Sequence, residues 1–335
     1  MATTIKDIAS RLGISISTVS KGLNGASDIS EELRQLVLDT AIEMGYKTKK
    51  MKRGEHKRLC IFVENMKYSD VEDFGYEMVL GFRQVALRDD WEVTVTPIDP
   101  SFQIANKYDS FLLREGYSGA FLMGFALQDP WMEQLTKCKV PTVLLDNVIE
   151  RNPLVGAVET DSYEGIDLAV EHLVSLGHRR IAFFSGSPNS MITTRRYNAF
   201  MNSMNRRQLP IDPNLITFGH YVKDSAKYHV PVLLSAGATA IICGSDTIAE
   251  GVLEECQKRG YRVPEDISVI GFDDLPSSAA LTPSLTTVRQ DRMDLGKGAY
   301  HVLQSLVSHV SISRTVLRAG LIVRDSTGPR RSESL

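Results

Sequence analysis

Thr4-Ile5-Lys6-Asp7-Ile8-Ala9-Ser10-Arg11-Leu12-Gly13-Ile14-Ser15-Ile16-Ser17-Thr18-Val19-Ser20-Lys21-Gly22-Leu23-Asn24-Gly25 is the stretch on which the reading of this chain turns. Ile5, Ile8, Ala9 and Leu12 recur at helical spacing and predict a buried face. Thr4, with Asp7 three residues on, has the form of a capping box. Gly13 permits the left-handed residue that ends a helix. Ser15 can cap a second helix running to about Gly22, which buries Val19 and Leu23 and leaves Ile16, Ser17, Ser20 and Lys21 facing outward. Ile29-Ser30-Glu31-Glu32-Leu33 begins a third helix, with an apolar stripe of Leu33, Leu36, Val37, Ala41 and Met44, ended by Gly45. Any small bundle could contain three such helices. The short turn, the polar second helix and the local charge together argue instead for a groove reader.

The charge is unevenly placed. The whole chain of 335 residues has a formal net charge of −3, while residues 1–58 carry +4 and the remainder −7. A basic head on an acidic body fits a nucleic-acid partner. The N-terminus runs straight into polar helix-forming sequence and no apolar run approaches a bilayer's thickness, which predicts a cytoplasmic protein with no secretory signal and no membrane partner. Cys60, Cys138, Cys243 and Cys256 are scattered and form no C-x-x-C pair, which predicts reduced, buried thiols.

From Leu59 onward, apolar runs of strand length alternate with helical stretches. Strands are expected at 59–63, 92–96, 119–123, 142–145, 180–184, 238–243 and 268–271. Helices are expected at 75–89, 164–176, 195–207, 247–259 and 294–307. This alternation predicts parallel sheets flanked by helices, with ligands outside the carboxyl ends of the strands. The body has no G-x-G-x-x-G after a strand, no Walker loop and no G-x-S-x-G elbow, so no cofactor and no enzyme activity are expected.

The head, together with I-S-E-E-L-R-Q-L-V-L-D-T-A-I-E-M-G-Y at 29–46, resembles the LacI/GalR family of bacterial transcription regulators. The resemblance continues in 161–165 (D-S-Y-E-G), 172–183 (H-L-V-S-L-G-H-R-R-I-A-F), 263–274 (V-P-E-D-I-S-V-I-G-F-D-D) and 282–290 (T-P-S-L-T-T-V-R-Q). It implies an all-α helix-turn-helix head followed by two doubly wound α/β parallel-sheet subdomains, like a type I periplasmic binding protein. The expected divisions are a head at 1–46, a basic linker at 47–58, one subdomain at 59–159 plus 291–318, and another at 160–290 plus 319–335. Also implied is a homodimeric, ligand-responsive repressor of carbohydrate-utilisation genes, bound to double-stranded operator DNA and controlled by a sugar effector. A catabolite-control regulator answering to a protein or phosphosugar, or a cytosolic ligand-binding module without specific DNA readout, stays open as an alternative.

By the family pattern, Ile16, Ser17 and Lys21 occupy base-reading positions, and Ser15, Thr18, Ser20 and Asn24 phosphate-facing ones. Where Lys21 stands the family usually has arginine, whose two-pronged fork lysine lacks. The linker, K-T-K-K-M-K-R-G-E-H-K-R at 47–58, holds seven basic residues and one acidic, and lacks the family's N-x-x-A-x-x-L hinge helix. It is expected to act on phosphates electrostatically and to make binding steeply salt-dependent; a solvated tether without a DNA role is the other reading.

Asp146, Arg196, Asp246 and Asp273 follow predicted strands and match effector-contacting positions of sugar-responsive relatives. A carboxylate accepts from two hydroxyls and an arginine fork donates to two oxygens, which suits a polyol. Tyr221, Phe74, Trp131 or Phe272 could supply the apolar face. Ser245 stands where many relatives have asparagine. Each assignment has a plainer counterpart: Asp246 and Asp273 as helix caps, Arg196 as a surface ion pair, Phe74 and Trp131 as core or interface aromatics. His172 and His178 are expected to pack near a helix end.

Overall fold

The structure, a computed structural model, describes residues 3–26, 28–46 and 57–331. The linker expectation therefore falls mainly outside the described residues. Its last two members do not: Lys57 and Arg58 already belong to the first strand.

Three helices form the head: α1 (Ile5–Leu12), α2 (Ile16–Asn24) and α3 (Glu31–Glu43). Each begins on the expected hydroxyl. Thr4 and Asp7 form the capping box, Ser15 Oγ accepts from Thr18 N at 3.0 Å, and Ser30 Oγ accepts from Leu33 N at 3.2 Å. Gly13 ends α1 with φ 65°. The second helix runs two residues past Gly22, because the left-handed cap is Gly25 at φ 69°. The stripe of α3 also differs from expectation. Leu36 is 51 % exposed, and Leu38 joins Val37 and Ala41 in the core with Ile8, Val19 and Leu23. Val37, Leu38 and Ala41 are the buried apolar set, and at 3.6 residues per turn Leu36 lies roughly 100° or more round the helix from each of them.

Gly22, inside α2, sits against α3. A Cβ there would lie 2.9 Å from both Cβ and Cγ1 of Val37, so α2 and α3 touch backbone to side chain. Gly22→Ala is expected to destabilise the head by about 1–3 kcal/mol through overpacking. Calorimetry of the full chain should show the first transition lowered while the main one stays in place.

The rest of the chain forms β1 (Lys57–Val63), α4 (Tyr76–Arg88), β2 (Trp91–Pro97), α5 (Pro100–Ala105), α6 (Tyr108–Glu115), β3 (Gly119–Met123), α7 (Pro130–Leu135), β4 (Thr142–Leu145), β5 (Val155–Thr160), α8 (Ser162–Ser175), β6 (Ile181–Ser185) and α9 (Met191–Arg206). It continues with β7 (Ile216–Phe218), α10 (Ala226–Ser235), β8 (Ala240–Cys243), α11 (Asp246–Lys258), β9 (Ser268–Asp273), β10 (Thr286–Arg289), α12 (Arg292–Val307), β11 (Arg314–Leu317) and β12 (Gly320–Ile322).

These elements fall into two compact units. The first holds the head with 57–66, 77–159 and 293–315; the second holds 67–76, 160–292 and 316–331. The chain passes between the units at 159/160, 292/293 and 315/316. The assignment of 67–76 to the second unit was not foreseen.

Each unit is built on a six-stranded sheet. The first has strand order β2-β1-β3-β4-β5-β11 and the second β7-β6-β8-β9-β10-β12. The pairs β1–β2, β1–β3, β3–β4 and β4–β5 are parallel, as are β6–β7, β6–β8, β8–β9 and β9–β10, while β12 runs antiparallel to β10. β3, β4, β6 and β8 are buried throughout, as helices on both faces require. Both sheets reverse direction of winding beside their first strand, and such a switch point opens a crevice at the carboxyl ends. Those ends carry Glu64 and Gly124 in the first unit, and Ser185 and Gly244 in the second. All four cysteines are free and buried. Among the described residues no helix is long and apolar enough to cross a membrane.

Candidate DNA-reading face and effector site

The outward face of α2 is polar apart from one residue. Ile16 is 49 % exposed, and Ser17, Lys21 and Asn24 are exposed beside it. Val19 and Leu23 hold the opposite face in the core. Ser15 Oγ hydrogen-bonds Ser17 Oγ at 2.7 Å and Thr18 Oγ1 at 2.8 Å, which sets three hydroxyls at the start of the helix. Asn24 Nδ2 donates to Ser20 O at 2.8 Å. Lys21 Nζ forms an ion pair with Asp28 and, by hydrogen bonding to it, holds that carboxyl below its ordinary range. All seven expected DNA-facing residues thus lie on one helix or its cap.

In the second unit, Arg196 and Asp273 are brought together. Arg196 comes from α9 and is 3 % exposed; its guanidinium lies over the Phe272 ring, 3.7 Å from the centroid. Its Nη1 donates to Gly244 O at 2.5 Å, and Nη2 stands 4.0 Å from Asp273 Oδ1. Its buried Nε has no hydrogen-bond partner among the described residues. Burial pushes the Asp273 carboxyl up to about 7, against the opposing pull of Arg196. Asp273 sits at φ 127°, a conformation that side-chain-bearing residues avoid. It is kept there by Gln290 Nε2, which donates to Oδ1 at 2.7 Å, and by Arg292 Nη1, which donates to the Asp273 carbonyl at 3.2 Å. Backbone strain of this kind at a strand end is characteristic of functional sites. Gln290 closes the motif at 282–290, yet the sequence assigned it no role.

Tyr221 lies on the same carboxyl edge. Its ring covers Gly186 so closely that a Cβ there would fall 2.1 Å from Cε2, and its hydroxyl bonds Thr193 Oγ1 at 2.8 Å. Phe74 is half-buried in the 67–76 segment, where Glu72 Oε2 accepts from Ser277 N at 3.0 Å.

Asp246 departs from the expected ligand role. It is 2 % exposed; Oδ2 accepts from Leu275 N at 2.8 Å and Ser278 Oγ at 2.6 Å, and Oδ1 accepts from Thr287 Oγ1 at 2.5 Å. A carboxylate so committed staples the start of α11 to the 275–278 turn and to β10. It also explains Gly271, where a Cβ would meet Asp246 Oδ1 at 2.1 Å. The cap of α11 is Ser245, whose Oγ accepts from Ile248 N at 3.2 Å.

Asp146 belongs to the first unit, left-handed at φ 60° just beyond β4. Trp131 is likewise in the first unit but wholly buried, packed on Phe62 and Tyr108, with Nε1 donating to Asn106 O at 2.7 Å; it is a core residue. His172 bonds Thr327 Oγ1 at 2.9 Å, and His178 bonds Thr239 Oγ1 and the Gly328 carbonyl, each at 3.0 Å, so both pack the chain's end against the sheet.

The carboxyl end of β1 holds a residue that sequence reasoning missed. Glu64 is buried, and its Oε2 accepts from Gln103 Nε2 at 2.6 Å. Burial, and then the neighbouring Asp129, push its carboxyl from 4.5 up to about 8. Folding therefore takes up a proton between those values: Glu64's contribution is fully favourable below about 4.5 and is lost as pH rises through about 8. Glu64→Gln keeps the acceptor for Gln103 and has no proton to lose. In urea melts the variant should gain on the parent by about 1–3 kcal/mol between about pH 5 and pH 9.

Two family profiles match the chain. Residues 4–49 match "Bacterial regulatory proteins, lacI family", and residues 170–327 match "Periplasmic binding protein-like domain". Catabolite control protein A of Priestia megaterium is 27 % identical over 322 residues, covering 95 % of this chain and 96 % of that protein. The ribose operon repressor of Bacillus subtilis (strain 168) is 27 % identical over 317 residues, covering 94 % and 95 %. Among solved structures, the lac repressor dimer bound to operator superposes with a TM-score of 0.68 at 25 % identity, covering 98 % of this chain and 100 % of that one. With a helix-turn-helix head, two switch-point sheets and similarity to transcription regulators along their whole length, this chain belongs to the LacI/GalR family of DNA-binding transcription regulators.

Proposed function

We propose that the protein is a dimeric repressor acting in the cytoplasm, whose release from or retention on an operator is set by a sugar or sugar derivative at the carboxyl edge of the second sheet. Two heads on a twofold axis would read half-sites in successive major grooves. Lys21 leaves Asp28 to reach guanine O6 and N7, Ile16 and Ser17 meet neighbouring base edges, and Ser15, Thr18, Ser20 and Asn24 set the register on phosphates. The ribose operon repressor's similarity along its full length supports a sugar as effector.

The observation that carries the effector reading is the buried Arg196 with an unpartnered Nε beside a strained Asp273. A buried donor without an acceptor is costly, and a ligand oxygen would satisfy it. Near its midpoint at neutral pH, Asp273 can accept from one hydroxyl or donate to another. Tyr221 and Phe74 offer apolar surface for a sugar ring, and Asp246 serves as the staple behind the site.

The test has two stages. Duplexes are first selected from a random pool with the full chain; a near-palindromic motif is expected, and recovery of no motif overturns the DNA reading. A thermal-shift screen of free sugars, glycosides and phosphosugars follows, and each hit is added to the selected duplex. At least one hit should change duplex affinity by about 5–150-fold. Stabilisation by none of them overturns the sugar assignment.

A further inference from the structure

The helix-turn-helix head does not end at its own three helices. Leu113, on α6 of the effector-binding body, is 5 % exposed and completes the cluster formed by Ile8, Val19, Leu23, Val37, Leu38 and Ala41. Around this shared core lie polar contacts from α3. Gln35 Nε2 donates to Ser110 Oγ at 3.0 Å and to Asp39 Oδ1 at 2.6 Å, and Lys107 Nζ donates to Asp39 Oδ2 at 3.4 Å. Head and body thus meet through a helix pair with an apolar centre and a hydrogen-bonded rim, the make-up of a specific contact. The reading face points elsewhere: Ile16 and Lys21 stay about half exposed with the head so placed.

We propose that α6 is a fixed mount for the head, occupied in the free protein and kept on DNA, so that the body carries the reading helix directly through the α3–α6 contact. This rests on the DNA-reading role proposed above. The sequence gives the mount a purpose, because residues 47–58 lack the N-x-x-A-x-x-L pattern of a hinge helix. The opposite face of α6 runs into the body's core. Phe111 and Tyr108 pack on Trp131, whose backbone N–H donates to Gln103 Oε1 at 3.0 Å, and Gln103 holds Glu64 at the end of β1. A shift at that strand end has a packed route to the mount.

The rim pair supplies the test. The Asp39 and Lys107 side chains are about half exposed, and the four natural cysteines are buried. Full-length Asp39→Cys/Lys107→Cys protein is treated with a short bismaleimide, with and without a duplex selected by the parent chain. The expected result is efficient intramolecular cross-linking in both states, with the locked protein binding that duplex within about threefold of the untreated variant. Cross-linking suppressed by the duplex, or a locked protein weakened by more than about threefold, would show that the head leaves α6 to read DNA and would overturn the proposal. Should the parent select no duplex, the DNA-reading role fails separately, and cross-linking of the free protein alone decides whether the mount exists. Each single-cysteine variant serves as the control for accessibility.

Discussion

Arg196→Ala is expected to weaken binding of any sugar found in the screen by about 100-fold or more while leaving affinity for the selected duplex, without ligand, within about threefold. Losing two charge-assisted hydrogen bonds to the ligand corresponds to about 3 kcal/mol or more. The chain should survive the change, despite the usual severity of removing one partner of a buried ion pair. Asp273 is already pushed up to about 7 with the guanidinium present, so without it the carboxyl can take a proton at small cost near neutrality. The cost left to the variant is the loss of the guanidinium's packing on Phe272 and of its bond to Gly244 O. The stability loss should therefore shrink as pH falls from about 8 to about 6, because the orphaned acid is then increasingly neutral. Titration calorimetry for the ligand and urea melts across that range check both parts. A variant that keeps ligand affinity removes Arg196 from the effector site; one that unfolds at every pH shows a structural residue.

The contrast between Arg196 and Asp246 shows what the sequence could convey. Both match effector positions of relatives, and both follow a strand or its loop. Nothing local distinguishes a carboxylate awaiting hydroxyls from one that already holds Leu275, Ser278 and Thr287, since those partners lie 29 to 41 residues downstream. Gln290 escaped notice for the same reason: its partner Asp273 is 17 residues away, on the neighbouring strand. The helix starts in the head were legible because caps are local, as at Ser15 and Ser30. The core strands announced themselves by apolar runs buried on both faces, whereas α10 carries Pro231 inside it and β7 spans only three residues, so neither offered a clear pattern. Leu36 misled because it keeps helical spacing with Leu33 but lies off the face that buries Val37, Leu38 and Ala41.

Lys21→Ala is expected to lower affinity for the selected duplex by about 1–3 kcal/mol, roughly 5- to 150-fold, and to leave ligand binding unchanged. Lys21 is exposed, and its bond to Asp28 is a solvent-screened surface ion pair, so exchanging that partner for a base edge is inexpensive. A contact to a phosphate would predict a different pattern: affinity for selected and random duplexes would fall together, and the salt slope would lose about one charge. The two roles separate on Lys21→Arg. If the residue reads guanine, the guanidinium fork can engage O6 and N7 together and should sharpen discrimination between the selected duplex and single-base variants at that position. If it only neutralises phosphate, arginine and lysine should be equivalent across all duplexes. Asp28→Asn supplies the last arm, since freeing Lys21 and removing a negative charge near DNA should raise affinity for every duplex without altering the preferred motif. Equal loss on selected and random duplexes in Lys21→Ala, with no gain in Lys21→Arg, would move base reading away from Lys21 to Ile16 and Ser17 on the same exposed face of α2.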